Sequence, residues 1–345
     1  MSQPKQAFIS DNPSLSLPIQ VTDEGRLEPL GSGVACAKSS LRPSNHSVQL
    51  IAEDVRAYLQ AALSENTRRA YAADIAAFIR WGGEVPSTAE AIAEYLASRA
   101  EGTKPSSLKR ALIGIRKAHR LAGHPDPTKS ELVRAVLRGV CRVKGANVQQ
   151  AIPVMREDIL LISDTLGRDF AGLRDRALLL LGFAGGFRRS ELVALDVADI
   201  AFVPEGLLVV VRRSKTDQEG VGRKVGIPYG RTRACPVRSL SDWLAASSIG
   251  GGPLFRSLTK NGKVKGALSA QSVGPILRRA AEAAGLPTTG MSAHSLRAGL
   301  VTSAVRAGIS TWKIKQQTGH RSDAVVGMYV RDAQIFSGNA AGTLL

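Results

Sequence analysis

Ala293-His-Ser-Leu-Arg297, Thr318-Gly-His320 and a lone Tyr329 follow one another in the last quarter of the chain, and their reading organises everything upstream. His294 and Arg297 stand at i and i+3, so a helix would place both on one face. His320 follows a glycine at what reads as a helix-to-helix turn, with Tyr329 on the next helix. A second cluster lies well upstream: Gly186-Phe-Arg188-Arg-Ser190-Glu191-Leu192. There a Gly185-Gly186 break ends one helix, and Arg188 emerges at the start of another.

Each feature alone has an ordinary structural explanation. An HxxR pair is commonly a surface pair, a late tyrosine commonly packs, and Arg188 with Glu191 makes a simple helical ion pair. Their joint occurrence points to chemistry. Cleaving a phosphodiester with protein groups alone needs fixed cations aimed at the non-bridging oxygens of a pentavalent transition state. Arginine suits this, because its planar fork binds two oxygens and keeps its proton. Tyr329 offers a nucleophile, and Lys215 offers a mobile ammonium that could reach a bound phosphate. No cluster of acidic residues for a metal and no Gly-rich phosphate loop is evident, which agrees with chemistry that needs neither metal nor cofactor.

Composition agrees. The chain has 345 residues, 46 Lys and Arg against 29 Asp and Glu, and a formal net charge of +17. Residues 1–45 are charge-balanced, residues 46–150 carry +6 and residues 151–345 carry +11. The basicity therefore belongs to the folded parts and favours a shaped surface for a polyanion, nucleic acid first. Cys36, Cys141 and Cys235 are isolated, which argues against a disulfide framework or a zinc site. The longest apolar run, Ala177 to Phe183, is too short to span a bilayer. No basic segment followed by an apolar core opens the chain, so a soluble cytoplasmic protein without membrane partners is expected, nucleoid-associated if bacterial.

Read in order, residues 1–45 form a Ser-, Pro- and Gly-rich disordered arm. Residues 46–143 read as an all-helical DNA-binding domain, with helices over Val48–Leu63, Thr67–Trp81, Thr88–Arg99, Ser106–Ala122 and Ser130–Val143. Basic residues Lys109, Arg110, Arg116, Lys117 and Arg120 stud the fourth of these. Lys109, Arg116 and Arg120 recur at helical spacing as a ridge sized for a major groove, and Arg68 and Arg69 lie off the apolar face of the second. Residues 144–153 read as a linker. Residues 154–345 read as a mostly helical catalytic domain with a small β-hairpin edge: strands over Leu207–Arg213 and Lys224–Pro228, with Lys215 in the tip between them. Its helices are expected at Arg156–Thr165, Leu173–Ala184, Val237–Ala246, Ser272–Ala284, Ser292–Ala307 and Thr311–Thr318. The fold class is mainly α with a small β-sheet, the two domains clamping a duplex.

The combination of boxes resembles the tyrosine recombinase (phage integrase) family, Cre-like branch. Gly186-Phe-Arg188-Arg-Ser190-Glu191-Leu192 looks like its first arginine box, Lys215 like its catalytic lysine, and His294-Ser-Leu-Arg297, Gly319-His320 and Tyr329 like the remaining boxes. The spacings of 26 and 9 residues between His294, His320 and Tyr329 fit as well, as does the stretch Ala118-His-Arg-Leu-Ala-Gly-His-Pro-Asp-Pro127. Gly-Phe-Arg in place of the commoner Gly-Leu-Arg is a conservative departure at a packing position. The short tail after Tyr329 offers Ile335 and Phe336 as an apolar plug.

The resemblance implies that Tyr329 attacks the scissile phosphate, giving a 3′-phosphotyrosyl link and a free 5′-hydroxyl. Arg188 and Arg297 would clamp the phosphate with help from His320, and Lys215 would protonate the departing 5′-oxygen. His294 would assist proton transfer at the tyrosine, and Glu191 would hold the geometry. Nearby cations are expected to give Tyr329 phenolate character. The implied function is site-specific recombination of double-stranded DNA at inverted half-sites, by a homotetramer on two sites, through a Holliday junction. A type IB topoisomerase would share the chemistry, and a DNA-binding protein could keep the fold without catalysis. The filled catalytic positions favour the enzyme, and the helical N-terminal domain favours recombination.

Overall fold

The computed structural model describes residues 19–21, 27–29, 62–145, 151–212 and 222–333. The helix expected from Val48, the centre of the linker, the hairpin tip with Lys215 and the tail with Ile335 and Phe336 lie outside the described residues. The chain divides into two compact units, Met1–Val148 and Gln149–Leu345.

The first unit holds four described helices: α1 (Glu65–Trp81), α2 (Ala89–Ala100), α3 (Pro105–Leu121) and α4 (Glu131–Lys144). Side-chain oxygens start three of them. Ser64, Thr88 and Ser130 accept from the backbone N–H of Thr67, Ala91 and Val133, satisfying donors that the helix cannot. Proline opens α3, where its missing N–H costs nothing. Ile75, Phe78, Leu96, Leu108, Ile115 and Val133 close a core between the helices, with Tyr95 edge-on to Phe78 at 5.0 Å. Buried His119 ties the unit together, accepting from Ser87 N–H at Nε2 and so donating from Nδ1 to the Ile115 carbonyl. Within the expected N-terminal arm, β1 (Ile19–Val21) and β2 (Leu27–Pro29) pair antiparallel, a regular element that the composition of that stretch did not foreshadow.

The second unit begins with α5 (Arg156–Thr165) and α6 (Phe170–Gly185). Helix α6 starts at Phe170, earlier than the apolar pattern indicates, because Asp169 caps it through Gly172 N–H. Short α7 (Arg189–Val193) leads to an antiparallel sheet of β3 (Ile200–Val203), β4 (Gly206–Val211) and β5 (Arg223–Pro228), in the order β3-β4-β5. The expected hairpin is β4 with β5; β3 is an addition, unreadable because both central residues face solvent. A second pair, β6 (Arg256–Leu258) with β7 (Val264–Ala267), also lacks apolar alternation. Between and after them come α8 (Pro236–Ser247), α9 (Val273–Ala283), α10 (His294–Arg306), α11 (Thr311–Thr318) and α12 (Asp323–Ala333). Among the described residues, no helix is long and apolar enough to cross a membrane.

Helix α10 runs against the entry to this unit. Val154 donates its N–H to the Ser295 carbonyl at 3.0 Å. Its own carbonyl lies where a Cβ on Gly299 would fall, at 1.6 Å. Only glycine permits that approach. Gly299→Ala should cost about 1–3 kcal/mol by overpacking, read as a fall in the thermal midpoint of the second unit; an unchanged midpoint would contradict this packing.

Candidate active site

The site gathers from the ends of α6 and α11 and from α7, β5, α10 and α12. Gly186 ends α6 in the left-handed region (φ 58°), turning the chain so that Arg188 becomes the N-cap of α7. Phe187 between them is buried, as expected of a packing position. Glu191 reaches back to the cap: its Oε2 accepts from Arg188 N–H at 3.1 Å, and its Oε1 from Arg188 Nη1 at 2.6 Å. A second arginine, Arg223 at the start of β5, donates Nη2 to Glu191 Oε2 at 2.9 Å. The carboxylate side chain is only 1% exposed, so the pairing takes place away from water. Burial pushes its carboxyl up, but hydrogen bonding and charge from Arg223, then Arg188, outweigh this and the net shift is downward.

Arg297 is held from α10 by backbone carbonyls. Its Nη1 donates to Gly186 O at 2.7 Å and Thr318 O at 2.6 Å, bridging the end of α6 to the end of α11. The residue is 1% exposed, and its Nε and Nη2 are buried with no hydrogen-bond partner among the described residues. Burial first, then Arg188, pushes its pKa down to about 10, which leaves it a cation at neutral pH. A buried guanidinium with two unpaired donors beside further cations is a receptor for an anion.

Val326 packs α12 into a small core with Val301, Val305 and Ile314, and Tyr329 lies against it. That packing brings the Tyr329 hydroxyl to 3.2 Å from His294 Nε2. His320, just past the Gly319 turn, holds its Nδ1 2.7 Å from the Thr318 hydroxyl. Its ring centroid is 6.4 Å from that of Tyr329. Desolvation, then Arg297, Arg188, His294 and Arg223, lowers the His320 pKa to about 3. His294 is lowered too, by desolvation first and then Arg297 and Arg188, although the residue keeps an exposed edge. A neutral His294 can take a proton from the phenol through Nε2.

One expectation is corrected here. Tyr329 does not show the expected phenolate character: burial raises the phenol's pKa, and the opposing effect of Arg297 is smaller. His294 Nε2 is the basic group in contact with that hydroxyl.

Arg188, Glu191, His294, Arg297, His320 and Tyr329 thus lie together, while Lys215 belongs to the segment outside the described residues. Two site residues escaped the sequence reading. Arg223 falls in inward register with buried Val225 and Ile227, and a charge at an inward strand position was the available signal. Thr318 carried no signal beyond adjacency to Gly319-His320.

In the first unit, Lys109 and Arg120 of the expected ridge are exposed, Arg116 and Lys117 are half-buried, and Arg68 and Arg69 are exposed. Arg110, expected among the DNA-binding residues, also has a partner within the unit. Its Nε and Nη2 fork Asp74 at 2.7 and 2.9 Å, joining α3 to α1. Arg69 also pairs locally, with Glu65 at 3.4 Å.

Comparison with known proteins agrees with this geometry. The phage integrase family model matches residues 154–334, and the phage integrase N-terminal SAM-like domain matches residues 53–124. The chain is 35% identical over 293 residues to an integrase/recombinase xerD homolog of Selenomonas ruminantium, covering 82% of this chain and 86% of that protein. It is 24% identical over 268 residues to the recombinase cre of Escherichia phage P1, covering 72% and 77%. In fold it is similar to a lambda integrase dimer bound to a COC′ core site, with TM-score 0.57, 22% identity and coverage of 81% and 76%. The chain belongs to the phage integrase family, the tyrosine recombinases. Its 35% identity to a xerD homolog exceeds the 24% to cre, so the Cre-like label is the weaker part of the resemblance.

The histidine shifts give a pH prediction. The folded His320 pKa is about 3 against an ordinary 6.5, so across that window the unfolded chain binds a proton that the folded one refuses. Stability from this group is therefore complete above the unfolded pKa and declines as pH falls below it. Between about pH 7 and pH 5, His320→Gln should show a shallower loss of thermal stability than wild type; parallel curves would contradict the assigned burial.

Proposed function

We propose that the protein is a site-specific DNA recombinase that cuts and rejoins double-stranded DNA through a 3′-phosphotyrosyl intermediate and a Holliday junction. The observation that carries the mechanism is the buried Arg297 fork, two of its nitrogens without a partner among the described residues, in the same site as a tyrosine hydroxyl bonded to a histidine.

Attack by the Tyr329 oxygen forms a phosphorus–oxygen bond while the bond to the 5′-oxygen breaks. The phenol proton passes to His294, and the 5′-oxygen leaves with a proton, which we assign to Lys215. Arg188 and Arg297 neutralise the charge that grows on the non-bridging oxygens, and His320 adds a hydrogen bond. Glu191 holds Arg188 in place. Because one phosphodiester is exchanged for another of similar energy, ligation reverses the step without ATP.

We further assign residues 46–143 as the DNA-binding domain, 144–153 as the linker and 154–345 as the catalytic domain. The exposed Lys109 and Arg120, with Arg116 on the same face of α3, fit a phosphate- and groove-contacting ridge. The DNA would carry two inverted half-sites, and two such duplexes would be joined by a homotetramer. Lambda integrase is known as a tetramer bound to a Holliday junction, and a XerH recombinase as a post-cleavage complex on a palindromic substrate. Exposed Ile309, Trp312 and Met328 on the C-terminal helical segment supply apolar surface for a neighbouring protomer.

The test is to trap and sequence DNA covalently bound to the protein in cells, then cleave a nicked duplex of that sequence. Wild type should accumulate an adduct and Tyr329→Phe none, while Arg297→Ala should lose roughly 100- to 1,000-fold in cleavage rate. An equally abundant adduct in Tyr329→Phe would remove the nucleophile assignment.

A further inference from the structure

The Thr318 hydroxyl has one proton and two neighbours that meet it. Its Oγ1 lies 2.6 Å from the Ile314 carbonyl oxygen and 2.7 Å from His320 Nδ1. A carbonyl oxygen only accepts, and two oxygens approach that closely only with a proton between them. The hydroxyl proton is therefore committed to Ile314, and an oxygen lone pair faces the imidazole. Nδ1 must carry the hydrogen in that contact. A neutral imidazole has a single N–H, so its Nε2 is then an acceptor, unable to donate to an anion.

We propose that Thr318 is a positioning residue that locks His320 as the Nδ1–H tautomer, so that His320 becomes a donor to a bound phosphate only by taking up a proton at Nε2. The identity of the anion rests on the recombinase reading; the tautomer does not. The proton comes from solvent as the anion docks, stays on the ring as imidazolium, and returns when the anion leaves. No bond in the DNA is broken by this step.

The surroundings make that coupling steep. Thr318 is fully buried as the last residue of α11, and its carbonyl also anchors Arg297 Nη1, so one residue seats two groups of the anion grip. Around His320 stand Arg297 and His294 from α10, Arg188 from the cap of α7, Arg223 from β5 and Tyr329 from α12. The nearby carboxylate, Glu191, is engaged by Arg188 and Arg223. In that company an added positive charge is opposed, and the depressed His320 pKa follows. An anion among the same cations reverses the balance, since opposite charge favours the protonated form. The donor would then appear only when phosphate is present.

The test is nitrogen-15 NMR of the full chain labelled at histidine, with the His320 signals assigned by their loss in His320→Gln. Wild type and Thr318→Ser should show protonated Nδ1 and bare Nε2. Thr318→Val keeps the shape and the carbonyl that holds Arg297 but lacks the hydroxyl, and should move His320 toward Nε2–H. Titration with inorganic sulfate should protonate Nε2 in wild type. A wild-type Nε2–H tautomer, a Thr318→Val spectrum like that of wild type, or a wild-type Nε2 unchanged across the sulfate titration would each overturn the proposal. Loss of the recombinase reading would show separately, as no covalent DNA adduct in a protein whose tautomer is as stated.

Discussion

A buried carboxylate set between two arginines governs this site. Glu191 accepts from both Arg188 and Arg223, and Arg297 lies buried with no acidic partner among the described residues. Two unit charges about 4 Å apart interact by roughly 4 kcal/mol at the effective dielectric of a protein margin. Arg188 and Arg223 disfavour the charge on Arg297, and Glu191 favours it. Glu191 offsets part of that repulsion, and it does so without occupying the Arg297 fork. The outcome is a site of excess positive charge whose Arg297 donors are not all paired among the described residues, which is what stabilising a developing phosphorane would require.

The same cations divide the labour among the titrating groups. They and burial keep His320 and His294 neutral, and burial keeps the Tyr329 phenol protonated. In the proposed mechanism Tyr329 stays protonated until attack begins, and the histidine 3.2 Å away accepts its proton. The fold supplies the distances. Gly186 turns the end of α6 toward Arg297, Gly299 lets α10 lie on Val154, and Val326 seats α12 so that Tyr329 faces α10.

Much of this was legible in the sequence, for identifiable reasons. Apolar periodicity announced the helices of the first unit, and the structure adds the side-chain acceptors Ser64, Thr88 and Ser130 that cap three of them. His294 and Arg297 announced a shared face through their spacing. Strand β3 and the β6–β7 pair did not, since period-2 alternation vanishes where both faces meet solvent. Arg223 was obscured because its role depends on a partner, Glu191, that only the tertiary fold brings to it. Arg110 shows the converse: its helical position marks a basic surface, and only the packing of α1 on α3 reveals its ion pair with Asp74. The phenolate expectation failed because a sequence displays the neighbouring cations but not the burial that outweighs them.

The central claim is that Arg297 acts by neutralising charge on a non-bridging phosphate oxygen. It is tested most directly by replacing the scissile phosphate with a methylphosphonate, in which a methyl group takes the place of one charged oxygen. Cleavage by Arg297→Ala should then recover relative to its rate on ordinary phosphate, while Tyr329→Phe stays inactive on both. Equal inactivity of Arg297→Ala on the two substrates would contradict the account.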